Sequence, residues 1–213
     1  MTDVPVREVP AGATYWSVFR AVHGATSFNP NVRPAETALE AGGGRFHPFE
    51  DRSGARVPTK YVADHENGAL AETLLRSVPG ERQVSVEAIR EHRLARLALR
   101  RAPRLVDLTA LDLESVTARF LGQDERAYPA LRRTAATLHA RDPGLDGIVW
   151  EGRQLGQPGM KCLVLFGDRV AADADLEAIE ILPLDAGVGL RTLRAAARLR
   201  EYALPKVLGL TDR

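Results

Sequence analysis

The chain has 213 residues, 45% of them hydrophobic and 27% charged, a globular balance that excludes collagen-like, coiled-coil and disordered classes. Twenty-nine basic against 28 acidic residues leave a net charge of +1, so whole-chain charge directs it toward neither nucleic acid nor an anionic membrane. A single cysteine excludes a disulfide framework and any multi-cysteine zinc module.

At about 150 residues per domain, one domain is the simplest division. Residues 1–14, with two prolines and little pattern, read as a loose arm ahead of a domain over 15–213. No run approaches the ~18 apolar residues of a membrane helix. Met1 to Pro10 also lacks the basic start and apolar run of a signal peptide, so a cytoplasmic protein without a membrane partner is expected.

Tyr15 to Val22 (YWSVFRAV) alternates and predicts a strand. Residues 24–44 form a long irregular stretch with Asn29-Pro30, Arg33-Pro34 and three glycines at 42–44, the kind of loop that carries function. A second loop covers 48–58, and Thr59 to Ala63 (TKYVA) predicts a short strand. Asp64 reads as the N-cap of a helix to about Ser77, with Ala69, Leu70, Thr73, Leu74 and Leu75 on its apolar face. Leu94 to Leu108 holds one or two strands bent near Pro103. Thr109 with Asp112 resembles a capping box for a helix through Phe120, and Tyr128 to His139 predicts another helix. Gly147 to Trp150 and Lys161 to Phe166 read as strands joined by a Gly-rich turn, Leu176 to Leu182 as a further strand, and Leu190 to Leu204 as a basic amphipathic helix. Helices and strands intermix without regular alternation, which predicts an α+β fold with a mixed central sheet.

The five histidines lie far apart, with no HExxH and no His/Cys pair at ligand spacing, so no metal is expected. Cys162 sits in an apolar strand and reads as a buried, inert thiol. Arginines 90, 93, 96, 100, 101 and 104, and arginines 191, 194, 198 and 200, lack interleaved aromatics for base contact; they read as solvated faces, with no direct nucleic-acid partner. The informative stretch is 42–76. It places Arg45 after a glycine run, Tyr61 in a strand, and Glu72 in register with Ala69 and Leu75, so the carboxylate points toward the apolar side of its helix. A carboxylate there is costly unless paired or used.

These pieces resemble the RES-domain family. Its pattern runs from an early strand with an arginine (Val18-Phe19-Arg20) through a glycine-rich segment (Gly43-Gly44-Arg45-Phe46), a YxA strand (Tyr61-Val62-Ala63) and an ALxE helix (Ala69-Leu70-Ala71-Glu72). Asp107-Leu108-Thr109, Asp146 to Trp150 and Cys162 to Phe166 follow in the family's order, and the resemblance covers about residues 16–170, with a C-terminal strand and helix over 175–205. His47 stands where the family often has asparagine, the family's serine falls on Gly152, and the loop between Arg45 and Tyr61 is longer than usual.

The resemblance implies an ADP-ribosyltransferase-like fold and a toxin of a toxin–antitoxin pair. Its substrate would be NAD⁺, cleaved at the nicotinamide–ribose bond by water or phosphate, with no separate cofactor. Glu72 would stabilise the oxocarbenium-like transition state, Arg45 beside Gly44 would hold the pyrophosphate, and Tyr61 would stack nicotinamide and leave its hydroxyl free. Arg20 and Arg153 are secondary anion contacts. The implied partner is an Xre-type, DNA-binding antitoxin. ADP-ribosyl transfer, or a weakened domain that mainly binds a partner, are the alternatives.

Overall fold

The computed structural model describes residues 4–31, 45–75, 83–110, 128–152 and 159–205. Strands β1 (Val6–Glu8), β2 (Thr14–Arg20), β3 (Phe49–Glu50), β4 (Arg56–Val57) and β5 (Thr59–Ala63) lead into helix α1 (Glu66–Thr73). Helix α2 (Val86–Glu91), β6 (His92–Leu99), β7 (Arg104–Asp107), α3 (Tyr128–Arg141), β8 (Gly147–Glu151) and β9 (Lys161–Phe166) follow. The chain continues with α4 (Ala172–Asp175), β10 (Leu176–Pro183) and α5 (Gly187–Leu199).

Eight strands form one mixed sheet in the order β1-β7-β8-β9-β5-β2-β6-β10, and β3 with β4 makes a separate hairpin. Among the described strands of this sheet, β7 and β8 are the one parallel pair. Alternate side chains feed two cores. Leu94, Val106, Ile148, Trp150, Cys162, Val164 and Phe166 face the helices, together with Leu70, Leu131, Leu190 and Leu193. Ala95, Leu97, Leu105, Val149, Leu163 and Leu165 face the opposite side, which loop residues such as Val9 and Val170 cover. Because β9 is buried on both faces, its sequence KCLVLF is almost continuously apolar.

The α+β mixed-sheet expectation holds, with corrections. Part of the arm over 1–14 is no loose tail: Val6 pairs with Val106, and the Arg7 guanidinium meets the Asp107 carboxylate at 2.8 Å. The 48–58 loop contains the β3–β4 hairpin, whose turn is tied by Asp51 Oδ1 accepting from the Ser53 and Ala55 amides at 2.8 and 2.9 Å, with Gly54 at φ +82°. His65, not Asp64, caps α1, its side chain accepting from the Asn67 amide. Asp64 is committed elsewhere, accepting from the Lys161 amide at 3.0 Å at the end of the β5–β9 ladder. The C-terminal helix spans Gly187–Leu199 rather than Leu190 to Leu204. The helix expected over Thr109 to Phe120 lies outside the described residues beyond a short 3₁₀ turn at Leu108–Ala110.

The decisive feature for the site is a split in the sheet. β2 pairs with β6 along its whole length, from Thr14↔Ala98 to Arg20↔His92, but meets β5 only at Trp16↔Ala63. From that point the two strands diverge.

Candidate functional site

The split opens a cleft of about 510 Å³ between Ser17–Arg20 of β2 and Thr59–Tyr61 of β5. Arg45 and His47 from the segment just before β3, Glu72 and Thr73 from α1, and Ser27 to Asn31 line its remaining walls. Four predicted site residues, Arg20, Arg45, Tyr61 and Glu72, therefore share one cavity. Gly44 and Arg153 lie outside the described residues.

Glu72 is half-buried on α1 and borders both the cleft and a small side cavity lined by Val18, Ala69 and Cys162. Burial pushes the Cys162 thiol well up, and the nearby Glu72 and Asp64 carboxylates add to it, which keeps the thiol protonated and inert. Arg45 is 3% exposed, and its Nε and Nη1 meet no hydrogen-bond partner among the described residues. A buried guanidinium with unused donors is costly unless an acceptor arrives.

Tyr61 corrects one expectation. Its hydroxyl is not free: it accepts from the Phe46 amide at 2.6 Å, and its ring stands edge-on to Trp150 with centroids 5.8 Å apart. Across the split, the Ser17 hydroxyl donates to the Tyr61 carbonyl at 3.0 Å, a single pin where ladder bonds are missing. Arg20 sits at the exposed rim, paired with Glu91 at 3.0 Å.

Among the described residues that line the cleft, Glu72 is the one carboxylate, and Arg20, Arg45, Lys60, His23, His47 and His92 are its basic groups. Lys60 is 4% exposed, and its ammonium donates to the Ala25 and Ser27 carbonyls at 2.7 and 3.1 Å. Burial lowers its pKa to about 8. His92 is also lowered, chiefly by burial, with its Nδ1 held 2.7 Å from the Ala88 carbonyl. The arrangement suits an anionic ligand with a developing positive charge beside the carboxylate.

The family model of the RES domain matches residues 14–186. The chain belongs to the RES-domain family. A chain in the crystal structure of the M. tuberculosis MbcT–MbcA toxin–antitoxin complex is similar at a TM-score of 0.52 and 18% identity, over 91% of this chain and 92% of that one. That likeness shows a shared fold, in line with the α+β expectation. No curated protein matches.

Within this RES domain, several matching motif positions prove to be framework. Asp146 takes two hydrogen bonds from Arg101, at 2.9 and 2.7 Å, and one from the Arg104 amide, so it ties β8 to the strand before it. Gly147 follows because a Cβ there would lie 2.1 Å from the Val164 carbonyl oxygen. Asp107 accepts from the Thr109 amide at 2.9 Å and pairs with Arg7. Gly152, where the family's serine falls, is buried, and a Cβ would come within 2.7 Å of both Cys162 Sγ and Met160 Cε. Arg96, Arg100, Arg101 and Arg104 of the first basic cluster are held by sheet-edge and loop partners rather than gathered into one surface. No described helix is long and apolar enough to cross a membrane.

Sequence reasoning missed Ser17, Thr59, Lys60 and His92 as cleft residues. Only the tertiary divergence of β2 from β5 brings them to the cavity, although the flagged loop over 24–44 pointed to one wall.

Proposed function

We propose that this RES domain is the toxin of a toxin–antitoxin pair and acts by cleaving the nicotinamide–ribose bond of NAD⁺. The observation that carries the reading is Glu72, the one carboxylate among the described residues of a cleft that Arg20, Arg45, Lys60 and three histidines also line. When the bond breaks, nicotinamide departs with the electron pair as a neutral base and leaves an oxocarbenium-like ribose. Water or a phosphate oxygen then adds at the same carbon.

Glu72 stabilises the developing cation across a short, partly dry gap, where a fixed charge acts more strongly than in water. Arg45 holds the diphosphate with donors that nothing among the described residues uses. Tyr61 presents its ring to the nicotinamide while Phe46 and Trp150 fix its tilt. Arg20, at the rim, contacts the ligand's charge as it enters.

A chain that consumes NAD⁺ would harm its own cell unless restrained, so an antitoxin protein is the proposed partner. The test is NAD⁺ loss and product identity for the purified chain, with and without phosphate, alongside growth on expression with and without the neighbouring gene. ADP-ribose alone means hydrolysis, and a phosphorylated product that appears only with phosphate means phosphorolysis. Stable NAD⁺ and normal growth would refute the reading.

A further inference from the structure

Thr59 carries an unexplained group. It is 2% exposed, and its Oγ1 meets no hydrogen-bond partner among the described residues, yet the residue lines the cleft. Its backbone is fully used: the Thr59 amide donates to the Asn29 carbonyl at 3.1 Å, and the Thr59 carbonyl accepts from the Asn29 amide at 2.9 Å. The hydroxyl thus has no local task. A buried hydroxyl without a partner is rare in a folded chain and asks for a ligand or an ordered water.

Its surroundings say which. Thr59 and Tyr61 lie two apart on one strand, so they share a face about 7 Å apart. The Tyr61 hydroxyl is 2.6 Å from the amide of Phe46, the residue next to Arg45. Arg45 is the second buried lining residue with unused donors, and a guanidinium can only donate. A ligand that satisfies both must be rich in acceptors.

We infer that Thr59 and Arg45 together form an oxyanion-binding subsite in which the Thr59 hydroxyl donates to a diphosphate oxygen. The choice of a diphosphate rests on the NAD⁺ reading; the subsite itself rests on the two buried, unused donors. Valine matches threonine in shape and branching, so Thr59→Val removes the donor and leaves the strand intact.

The probe is ADP, titrated by calorimetry into the wild type, Thr59→Val and Thr59→Ser, with thermal melting as the check on folding. The expected result is about a tenfold weaker affinity for Thr59→Val, with Thr59→Ser within about twofold of the wild type. NAD⁺ turnover should show the same change in KM with little change in kcat. Wild-type affinity in Thr59→Val would overturn the subsite while leaving the NAD⁺ reading standing. Equal loss in the serine variant would also overturn it, because the methyl shape rather than the donor would then matter. A wild type that binds no ADP would overturn both.

Discussion

The backbone amide of Phe46 donates to the Tyr61 hydroxyl at 2.6 Å, joining two segments 15 residues apart in sequence. This bond seats the residue after Arg45 against β5, so the arginine enters the cleft beside the strand that forms its wall. Tyr61→Phe keeps the ring against Trp150 but leaves the Phe46 amide without its acceptor. A stability loss of about 1 kcal/mol is expected from urea unfolding. KM for NAD⁺ should rise more than kcat falls, because the loosened segment carries the binding arginine. Unchanged stability and kinetics would mean that another group seats Arg45.

Lys60 predicts a pH signature. Burial lowers its pKa from 10.5 to about 8, so the folded chain gives up this proton before the unfolded chain does. Between those values the unfolded state holds more protons, and stability rises with pH; below pH 8 both states are protonated and the contribution stays flat and unfavourable. From pH 7 to pH 10 the rise is on the order of 2–3 kcal/mol. Unfolding of wild type and Lys60→Met at both pH values isolates it. The wild type should gain on the variant by that order as pH rises, and a constant difference would refute the assignment.

Gly152→Ser tests whether the position matching the family's serine serves the site. The added Cβ would press on Cys162 Sγ and Met160 Cε, each at 2.7 Å; the methionine end can shift, but the short, buried Cys162 side chain, which shares a small cavity with Glu72, has little room to yield. The expected cost is about 1–3 kcal/mol, or several degrees in Tm, with no gain in NAD⁺ turnover. Faster turnover at an unchanged Tm would show that the hydroxyl reaches the cleft.

What the sequence revealed follows the physics of each element. Thr59–Ala63 and Lys161–Phe166 match their sequence-based bounds because central strands need apolar side chains and no local caps. Val6–Glu8, the β3–β4 hairpin and α2 escaped because each is short and held by something nonlocal or minor: an edge ladder with an ion pair, an aspartate-tied turn, a Ser85 cap. The family resemblance singled out Arg45, Tyr61 and Glu72, and the fold brings all three to one cavity. The reading of Tyr61 as a free hydroxyl failed because no spacing rule shows that the Phe46 amide folds back onto it. Lys60 and Thr59 were invisible for a different reason. A strand alternation assigns each to a face, but only the parting of β2 from β5 turns both faces into cleft wall.

The measurement that bears most directly on the central claim is NAD⁺ cleavage by Glu72→Gln beside the wild type, with NAD⁺ binding followed separately. The glutamine keeps the shape and loses the charge. The account predicts at least a hundredfold slower cleavage, about 2.7 kcal/mol of barrier, with binding changed far less. Wild-type turnover in Glu72→Gln would contradict it.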